Sequence, residues 1–212
     1  GLFKLKNWPD WFTVKNRSKT YVNKILEKIS GEYYKNYNIN KVERKSNSVR
    51  VFYGDESEFF DYDKVVFATH ADQTISILEN PSDAEKNILS KFNYKKNMAV
   101  IHTDEKVMPS NKKAWSSWNS SINTDNLSEC SITYWLNKLQ NLKIDKNIFL
   151  TLNPYFEIDN DMILKKVEFT HPYYNQEALS SQKNLSTIQN KKNILFCGSY
   201  FGYGFHEDGI KS

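Results

Sequence analysis

The first regular pattern in the chain is helical. Apolar residues recur every three or four positions between Ser18, a candidate N-cap, and Gly31, a residue type that commonly ends helices. These apolar positions are Tyr21, Val22, Ile25, Leu26 and Ile29. Because this spacing puts them on one face of a helix, we predict a helix of about three turns here.

Short β-type runs follow this helix. Residues 38–43, 48–53 and 58–60 carry apolar residues between polar turns, and the last turn contains Gly54 and Asp55. These runs predict a small antiparallel meander.

The run at residues 64–69 is of a different kind. It is continuously apolar, as expected of a strand that is covered on both faces, and a helix-like stretch over 71–79 comes after it. A second helix is predicted from Ser82 to about Phe92. Ser82 as N-cap and Glu85 at the third helical position have the spacing of a capping box.

Strands predominate beyond this helix. The segments are rich in β-branched and aromatic residues, and we predict that residues 97–152 form one antiparallel sheet with an aromatic face. A helix over 175–188 and a short buried strand, Asn193–Cys197, complete the pattern. The strands of the sheet region are predicted at 97–103, 113–119, 130–137 and 147–152, with one more at 163–170.

Composition and charge narrow the possible functions. The 212 residues include 29 basic and 25 acidic side chains, a net charge of +4 without a block of like charge, so we set nucleic acid aside as a partner. Cys130 and Cys197 lack the spacing of a zinc site or a disulfide framework. We expect no metal site and a reducing, cytoplasmic location. No apolar run has the length needed to cross a bilayer, so we expect no integral membrane segment.

The most informative segment is the C-terminal string NILFCGSYFGYGFHEDGIKS. It predicts a buried strand, a tight loop that contains Gly198, Gly202 and Gly204, and a helix that starts at His206. Glycines at a strand-to-helix crossing let the backbone approach a planar or phosphorylated ligand closely. Glycine-rich turns are also common as purely structural elements, and the pattern alone leaves that alternative open.

This string resembles the last FAD-binding motif of the flavin amine oxidases, in which a strand ending in Ala-Gly or Cys-Gly precedes a Gly-aromatic-x-Glu segment. The chain is more similar still to a bacterial family described as predicted FAD/NAD-binding oxidoreductases. That family also resembles the amino-terminal oxidoreductase portion of plant cyclopropane-fatty-acid synthases. The likeness covers nearly the whole chain, through WFTVKNRSKTYV, VVFATHADQ, NPSDAEKNIL, VIHTDEKVMP, AWSSWN, TYWLNKLQ, FLTLNP, FTHPYY and FCGSYFGYGFHEDGIKS.

The resemblance implies an FAD site. Ala68 and Thr69 would pass beside the diphosphate, and the segment Asn38–Ile39 would meet the adenine edge. The backbone N–H of His206 would lie nearest the pyrimidine carbonyl, and Phe205 and His206 are the catalytic candidates. Six residues of the C-terminal string would line the flavin and its ribityl chain: Gly198, Ser199, Gly204, Phe205, His206 and Glu207.

The chain departs from the family pattern at three places. Ser199–Tyr200 stands where amine oxidases usually carry an acidic or threonine-acid pair, His70 replaces a small residue, and Asn16–Arg17 replaces a pair of glycines. No GxGxxG motif occurs in the 212 residues, although a dinucleotide site needs such a turn for the diphosphate. We expect that motif on an upstream part of the same polypeptide, and we expect Gly1 and Ser212 to be cut ends.

The histidines are too scattered in the sequence to predict a metal triad. We expect structural, hydrogen-bonded roles for His102 and His171, whereas the resemblance puts His206 beside the flavin. The same question arises for Trp115, Trp118 and Trp135, which would line an apolar substrate pocket or pack in the core.

We therefore predict an α/β fold. Residues 1–72 and 190–212 would form part of a Rossmann-like FAD-binding domain, and residues 73–189 a substrate domain with a mainly antiparallel sheet and flanking helices. The predicted function is FAD-dependent oxidation or desaturation of a small, apolar or lipid-like substrate by hydride transfer to the flavin. The chain alone would be inactive. The alternative is a non-catalytic module whose aromatic antiparallel sheet binds a ligand or a partner.

Overall fold

The computed structural model describes residues 12–54 and 58–212, so Trp11 and Asp55 of the segments above lie outside the described residues. The helices are α1 (Ser18–Leu26), α2 (Ala71–Ile77), α3 (Asp83–Leu89), α4 (Leu136–Leu139), α5 (Gln176–Gln182) and α6 (His206–Lys211). The strands are β1 (Ile39–Arg44), β2 (Val49–Tyr53), β3 (Glu58–Tyr62), β4 (Val65–Phe67), β5 (Asn93–His102), β6 (Trp118–Ile122), β7 (Cys130–Trp135), β8 (Phe149–Leu152), β9 (Ile163–Tyr173) and β10 (Ile194–Phe196). None of the helices in these ranges has the length and apolar character that crossing a bilayer requires.

Helix α1 is shorter than predicted, and the assignment of Ser18 as its N-cap is wrong. The N-cap is Arg17, whose φ of 67° turns the chain into the helix, and Ser18 is already helical. Beyond Leu26 the amides of Lys28 and Ile29 bond to carbonyls only three residues back, which tightens and ends the helix. None of the α1 residues is buried, so no packing extends it.

The meander is confirmed. Strands β1, β2 and β3 pair in that order, and both pairings are antiparallel. Val42 and Val49 are buried against the rest of the molecule, and Val42 also bridges to Leu78 at the end of α2. The meander thereby packs on the same core as the strand pair described next.

The two short buried strands that the sequence predicts, far apart along the chain, lie side by side. Strand β4 pairs with β10 in parallel, and the rings of Phe67 and Phe196 stack with centroids 5.9 Å apart. Helices α2, α3 and α5 contribute Ala71, Leu89 and Ala178 to the core around this pair. The capping box at α3 is confirmed, because Ser82 accepts a bond from the Glu85 amide and the Glu85 carboxylate accepts one in return.

The antiparallel sheet is confirmed, with five strands in the order β6-β7-β8-β5-β9. The strand predicted at 113–119 is wrong in its position along the chain. Residues 112–114 form a single helical turn, and the strand runs over Trp118–Ile122. Asn111 caps that turn by accepting a bond from the Lys113 amide. The Trp115 indole donates to the Pro109 carbonyl, which holds the segment out of the sheet.

Two further boundaries differ from the prediction. Strand β7 stops at Trp135 because the Asn137 side chain, rather than its backbone, bonds the Ile148 amide. The helix predicted over 175–188 divides into α5 and a tighter helical turn, Leu185–Ile188. A three-residue repeat turns both Leu185 and Ile188 into the core, where each is 1% exposed.

The aromatic residues of the sheet are divided between its two faces. Strand alternation puts Trp135 and Phe149 on the covered face, where they form a small core with Trp115. Trp118 and Tyr134 pair on the opposite face, and Trp118 is 55% exposed. Core packing is therefore the role of Trp115 and Trp135, but not of Trp118.

Candidate functional site

The candidate site begins where β4 and β10 end. Because the two strands are parallel, the segments that follow them both begin at the same edge of the pair. There the Cys197 amide donates to the Phe67 carbonyl at 2.9 Å. Ala68 and Thr69 follow β4 and are exposed at this edge. The Thr69 carbonyl oxygen lies 3.9 Å from the point where a Cβ on Gly198 would stand. The two predicted motifs therefore meet.

At each glycine of the loop, a neighbouring side chain occupies the space that a Cβ would need. Gly198 has a φ of 149°, and a Cβ there would lie 2.8 Å from the Tyr200 ring. Gly204 has a φ of 92°, and its Cβ would lie 3.0 Å from the hydroxyl of Tyr174. A Cβ on Gly202 would collide with the Asp208 carboxylate. The loop is thus fixed by its own packing.

Asp208 holds the loop against α6. Its carboxylate accepts bonds from the backbone amides of Tyr203 and Phe205, both at 3.0 Å. Sequence reasoning missed this residue, although its place at the third position of α6 is the usual place of a capping-box acid. His206 and Glu207 occupy the first turn of α6.

The loop exposes aromatic surface. Tyr203 is 72% exposed and Phe205 is 69% exposed. Ser199 lies in a single helical turn, and its carbonyl accepts a bond from the Tyr174 hydroxyl at 3.2 Å. The predicted residues Ser199 and Phe205 therefore lie within one loop, which carries an exposed aromatic pair and leads directly into α6 at His206.

Tyr200 explains one departure from the family pattern. The residue is 2% exposed and packs between the rings of Phe92 and Phe201, so it is a core residue rather than a ligand contact. Among the described residues its hydroxyl has no hydrogen-bond partner. Burial raises the pKa of this hydroxyl above its ordinary value.

His70 explains a second departure. Its ring stacks on the ring of Tyr94, with centroids 4.1 Å apart and planes 12° apart. The Tyr94 hydroxyl accepts a bond from the Ala71 amide at 3.0 Å, and burial raises the pKa of Tyr94 to about 12. The imidazole of His70 fits at this position because it stacks on the Tyr94 ring, which the bond to Ala71 holds beside the start of α2.

Ile39 belongs to the meander. It is the first residue of β1, opposite Tyr53, and is 36% exposed. The structure brings together Ala68, Thr69 and the C-terminal loop, while Ile39 stays on the meander.

His102 has a structural role, as expected. The residue is fully buried, and its Nδ1 accepts a bond from the Asp104 amide. Nε2 therefore carries the proton of the neutral ring and donates to Thr151 Oγ1 at 2.8 Å, and Thr151 bonds in turn to Thr133. Burial lowers the pKa of His102.

A cavity of about 810 Å³ lies away from the C-terminal loop, beside the covered face of the sheet. Its lining includes Asp104, Lys106, Glu157 and Asp159, and it includes none of the predicted site residues. In the part of the chain that the structure describes, no three His, Cys, Asp or Glu side chains are grouped so as to hold a metal ion.

The fold is found in solved structures of oxidases and of an isomerase. A CLA-producing fatty acid isomerase from P. acnes matches 92% of this chain with a TM-score of 0.62 and 12% identity. A putrescine oxidase variant with redesigned cofactor binding matches 92% with a TM-score of 0.60 and 10% identity. A cyclohexylamine oxidase from Brevibacterium oxydans IH-35A matches 82% with a TM-score of 0.51 and 9% identity.

The chain spans about half the length of these proteins: 49%, 50% and 45% of their chains are covered. No protein-family model matches the chain, and no curated protein sequence matches it. At such identities the likeness shows a shared fold. The α/β fold predicted from the sequence is thereby confirmed.

Proposed function

We propose that this chain is part of an FAD-dependent oxidoreductase of the amine-oxidase-like kind, which oxidises or desaturates a small, apolar or lipid-like substrate. The observation that carries the proposal is the meeting of Thr69 and Gly198 at the carboxyl ends of two parallel strands. Ligands of open α/β sheets bind in the crevice outside these ends. Two motifs with flavoprotein resemblance converge at that place.

The residues of the C-terminal loop fit the flavin end of FAD. The exposed rings of Tyr203 and Phe205 offer apolar surface to a planar ligand. The amides of His206 and Glu207 lie in a first helical turn, where N–H groups lack intrahelical acceptors. The residues that would hold the flavin and its ribityl chain are Gly198, Ser199, Gly204, Phe205, His206 and Glu207.

When bound, FAD would supply the hydride acceptor, and the protein would supply orientation and electrostatics. Phe205 would cover the ring, and the His206 amide would donate toward its pyrimidine carbonyl. Phe205 and His206 remain the candidate catalytic residues. Ala68 and Thr69 would pass beside the diphosphate, and Ile39 would meet the adenine edge.

The diphosphate anchor would come from another part of the same polypeptide. No GxGxxG turn occurs in these 212 residues, and a helix N-terminus behind such a turn is the usual diphosphate site. In this proposal residues 1–72 and 190–212 belong to the FAD-binding domain and residues 73–189 to the substrate domain. The protein would act in the cytoplasm, and the chain alone would be inactive.

A specific observation favours the rival function, a non-catalytic binding module. The space beside Gly198, Gly202 and Gly204 is filled by Tyr200, Asp208 and Tyr174, so the loop needs no ligand to explain its glycines. In that case the sheet would bind a partner and the loop would be a structural turn only.

The visible absorbance spectrum of the purified full-length protein separates the two functions. The proposed function predicts flavin bands that persist through gel filtration. Gly204→Val should remove them, because the positive φ and the Tyr174 contact leave no room for the side chain. Gly31→Val is the matched control, since a Cβ at Gly31 meets nothing within 4 Å. A folded, colourless protein that gains no flavin bands on incubation with FAD supports the rival function.

A further inference from the structure

One face of the five-stranded sheet carries a continuous apolar row. The register aligns Val167, Ala99, Leu152 and Ile132 across β9, β5, β8 and β7. Side chains alternate between faces along a strand, so these four share a face, and we call them the apolar row. The row spans three strand spacings, about 14 Å.

The apolar row is partly covered: Ala99 is 2% exposed, Leu152 and Val167 are half-buried, and the exposed Lys165 stands next to Val167 on the same face. Ile132 itself is 37% exposed, and the flanking rings of Phe169 and Trp118 are 48% and 55% exposed. These side chains stand on the opposite face from His102 and Thr151, which are covered. The exposed apolar side chains of this face are therefore Ile132, Trp118 and Phe169.

One end of this face is polar. Lys95 and His171 stand directly opposite each other on β5 and β9, on the face of the apolar row. His171 Nδ1 lies 3.1 Å from the side-chain nitrogen of Asn97, whose oxygen accepts a bond from Asn153 at 2.7 Å. The Asn153 oxygen accepts in turn from the Met98 amide at 2.9 Å.

These hydrogen bonds determine which nitrogen of the neutral His171 ring carries the proton. A backbone amide can only donate, so the Asn153 side chain turns its oxygen to Met98 and its nitrogen to Asn97. Asn97 must then turn its nitrogen to His171, and Nδ1 of His171 accepts. The neutral His171 ring therefore carries its proton on Nε2 and has a donor to offer.

Lys95 adds a positive charge to this end of the face. Its ammonium lies 3.9 Å from the centroid of the Tyr173 ring, and among the described residues no carboxylate lies within ion-pairing distance of it. The next residue, Lys96, points to the opposite face and pairs with Glu168 at 2.9 Å. The polar end thus combines a cation and hydrogen-bond donors, which suits an anion rather than an amine.

We propose that this face binds a long-chain carboxylate. The carboxylate would meet Lys95 and His171, and the acyl chain would pass Phe169 and lie on the apolar row. This inference rests on the proposed function and names its substrate class. The polar end also lies toward the C-terminal loop, because His171 precedes Tyr174 by three residues and the Tyr174 hydroxyl donates to the Ser199 carbonyl.

Binding of three sixteen-carbon probes to the full-length protein tests this. Hexadecanoate, hexadecan-1-ol and hexadecylamine differ only in the head group, and calorimetric titration below the concentration of micelle formation measures each Kd. We expect hexadecanoate to bind about tenfold tighter than the alcohol, as a charge-assisted hydrogen bond requires, and the amine to bind weakest.

Two charge variants locate the head group. Lys95→Met should abolish the preference for hexadecanoate over the alcohol, and it leaves the fold intact because the side chain is exposed. Lys96→Met, one residue along and on the other face, should retain the preference. Ile132→Asp should weaken the binding of both hexadecanoate and hexadecan-1-ol, because it puts a charge in the apolar row.

Equal binding of acid and alcohol, or equal effects of the Lys95 and Lys96 variants, would overturn the inference. The flavin spectrum is read separately. A protein that carries flavin but shows no head-group preference contradicts the long-chain carboxylate alone. A protein without flavin contradicts the proposed function, whatever the probes show.

Discussion

The Thr69 carbonyl oxygen stands 3.9 Å from the point where a Cβ on Gly198 would lie, although the two residues are far apart along the chain. The two residues are close because β4 and β10 pair in parallel, so that the carboxyl ends of both strands lie at the same edge. A ligand at that edge would touch both motifs at once.

Gly198→Ala should destabilise the protein by about 1 to 3 kcal/mol, because the backbone is held at a φ that side chains rarely adopt. The new methyl group would also press on the Tyr200 ring. Urea unfolding measures the loss. Gly31→Ala is the control and should change stability little, since its surroundings are empty. Equal losses in the two variants would show that the Gly198 conformation is relaxed.

Asp208→Ala should loosen the C-terminal loop by removing the acceptor of the Tyr203 and Phe205 amides. The expected cost is about 1 kcal/mol, as for a lost helix cap. Hydrogen exchange of these two amides should rise in the variant. Glu207→Ala is a suitable control, because Glu207 pairs with Lys211 along the same helix and is not an acceptor of these two amides. Unchanged exchange at Tyr203 and Phe205 would argue against this role of Asp208.

Arg44→Met should cost about 3 to 5 kcal/mol, because it leaves the Glu85 carboxylate buried without its cation. The two groups are 2.5 Å apart, and the Glu85 side chain is 2% exposed. Arg44→Met combined with Glu85→Gln should recover much of the loss. Arg50→Met breaks a comparable but exposed pair with Asp61 and should cost far less. Similar losses of unfolding free energy in Arg44→Met and Arg50→Met would contradict the claim that burial makes the Arg44–Glu85 pair the more important of the two.

His102 should make stability depend on pH. Burial lowers its pKa in the folded protein, whereas the unfolded ring titrates near its ordinary value of about 6.5. Its contribution is therefore complete above about pH 6.5 and is lost as the pH falls toward the folded pKa, because the unfolded state then binds the extra proton. His102→Gln keeps a donor toward Thr151 without a titrating ring.

The free energy of unfolding, measured in urea at pH 7.5 and 5.5, tests this. The unsubstituted protein should lose more stability over this interval than the His102→Gln variant does. Parallel pH profiles of the two proteins would contradict the buried neutral ring.

Local patterns predicted much of the fold. The capping box of Ser82 and Glu85 and the buried runs at β4 and β10 rest on neighbours in sequence, and each is present. The turn at 112–114 was not predictable, because it depends on the Asn111 side chain and on the Trp115 bond to Pro109. The strand pattern alone shows neither bond.

Some residues of the candidate sites could likewise be predicted from a local sequence pattern, and others could not. The C-terminal motif indicated the loop from Gly198 to Glu207, because glycine spacing and family resemblance lie in one string. The pairing of Lys95 with His171 is set by the register of β5 and β9, so nothing in either segment alone reveals it. The Asn97 bond that orients His171 has the same origin.

Flavin binding tests the central claim most directly. FAD would be titrated, with flavin fluorescence as the readout, into the 212-residue chain and into the polypeptide extended upstream through a glycine-rich phosphate motif. We expect the extended polypeptide to bind FAD stoichiometrically and the chain alone to bind more weakly than about 1 μM, about −8 kcal/mol, because the diphosphate anchor is missing from it. Micromolar or tighter binding by the chain alone would place the diphosphate site within these residues. A folded, extended polypeptide that binds no FAD would contradict the flavoprotein assignment itself.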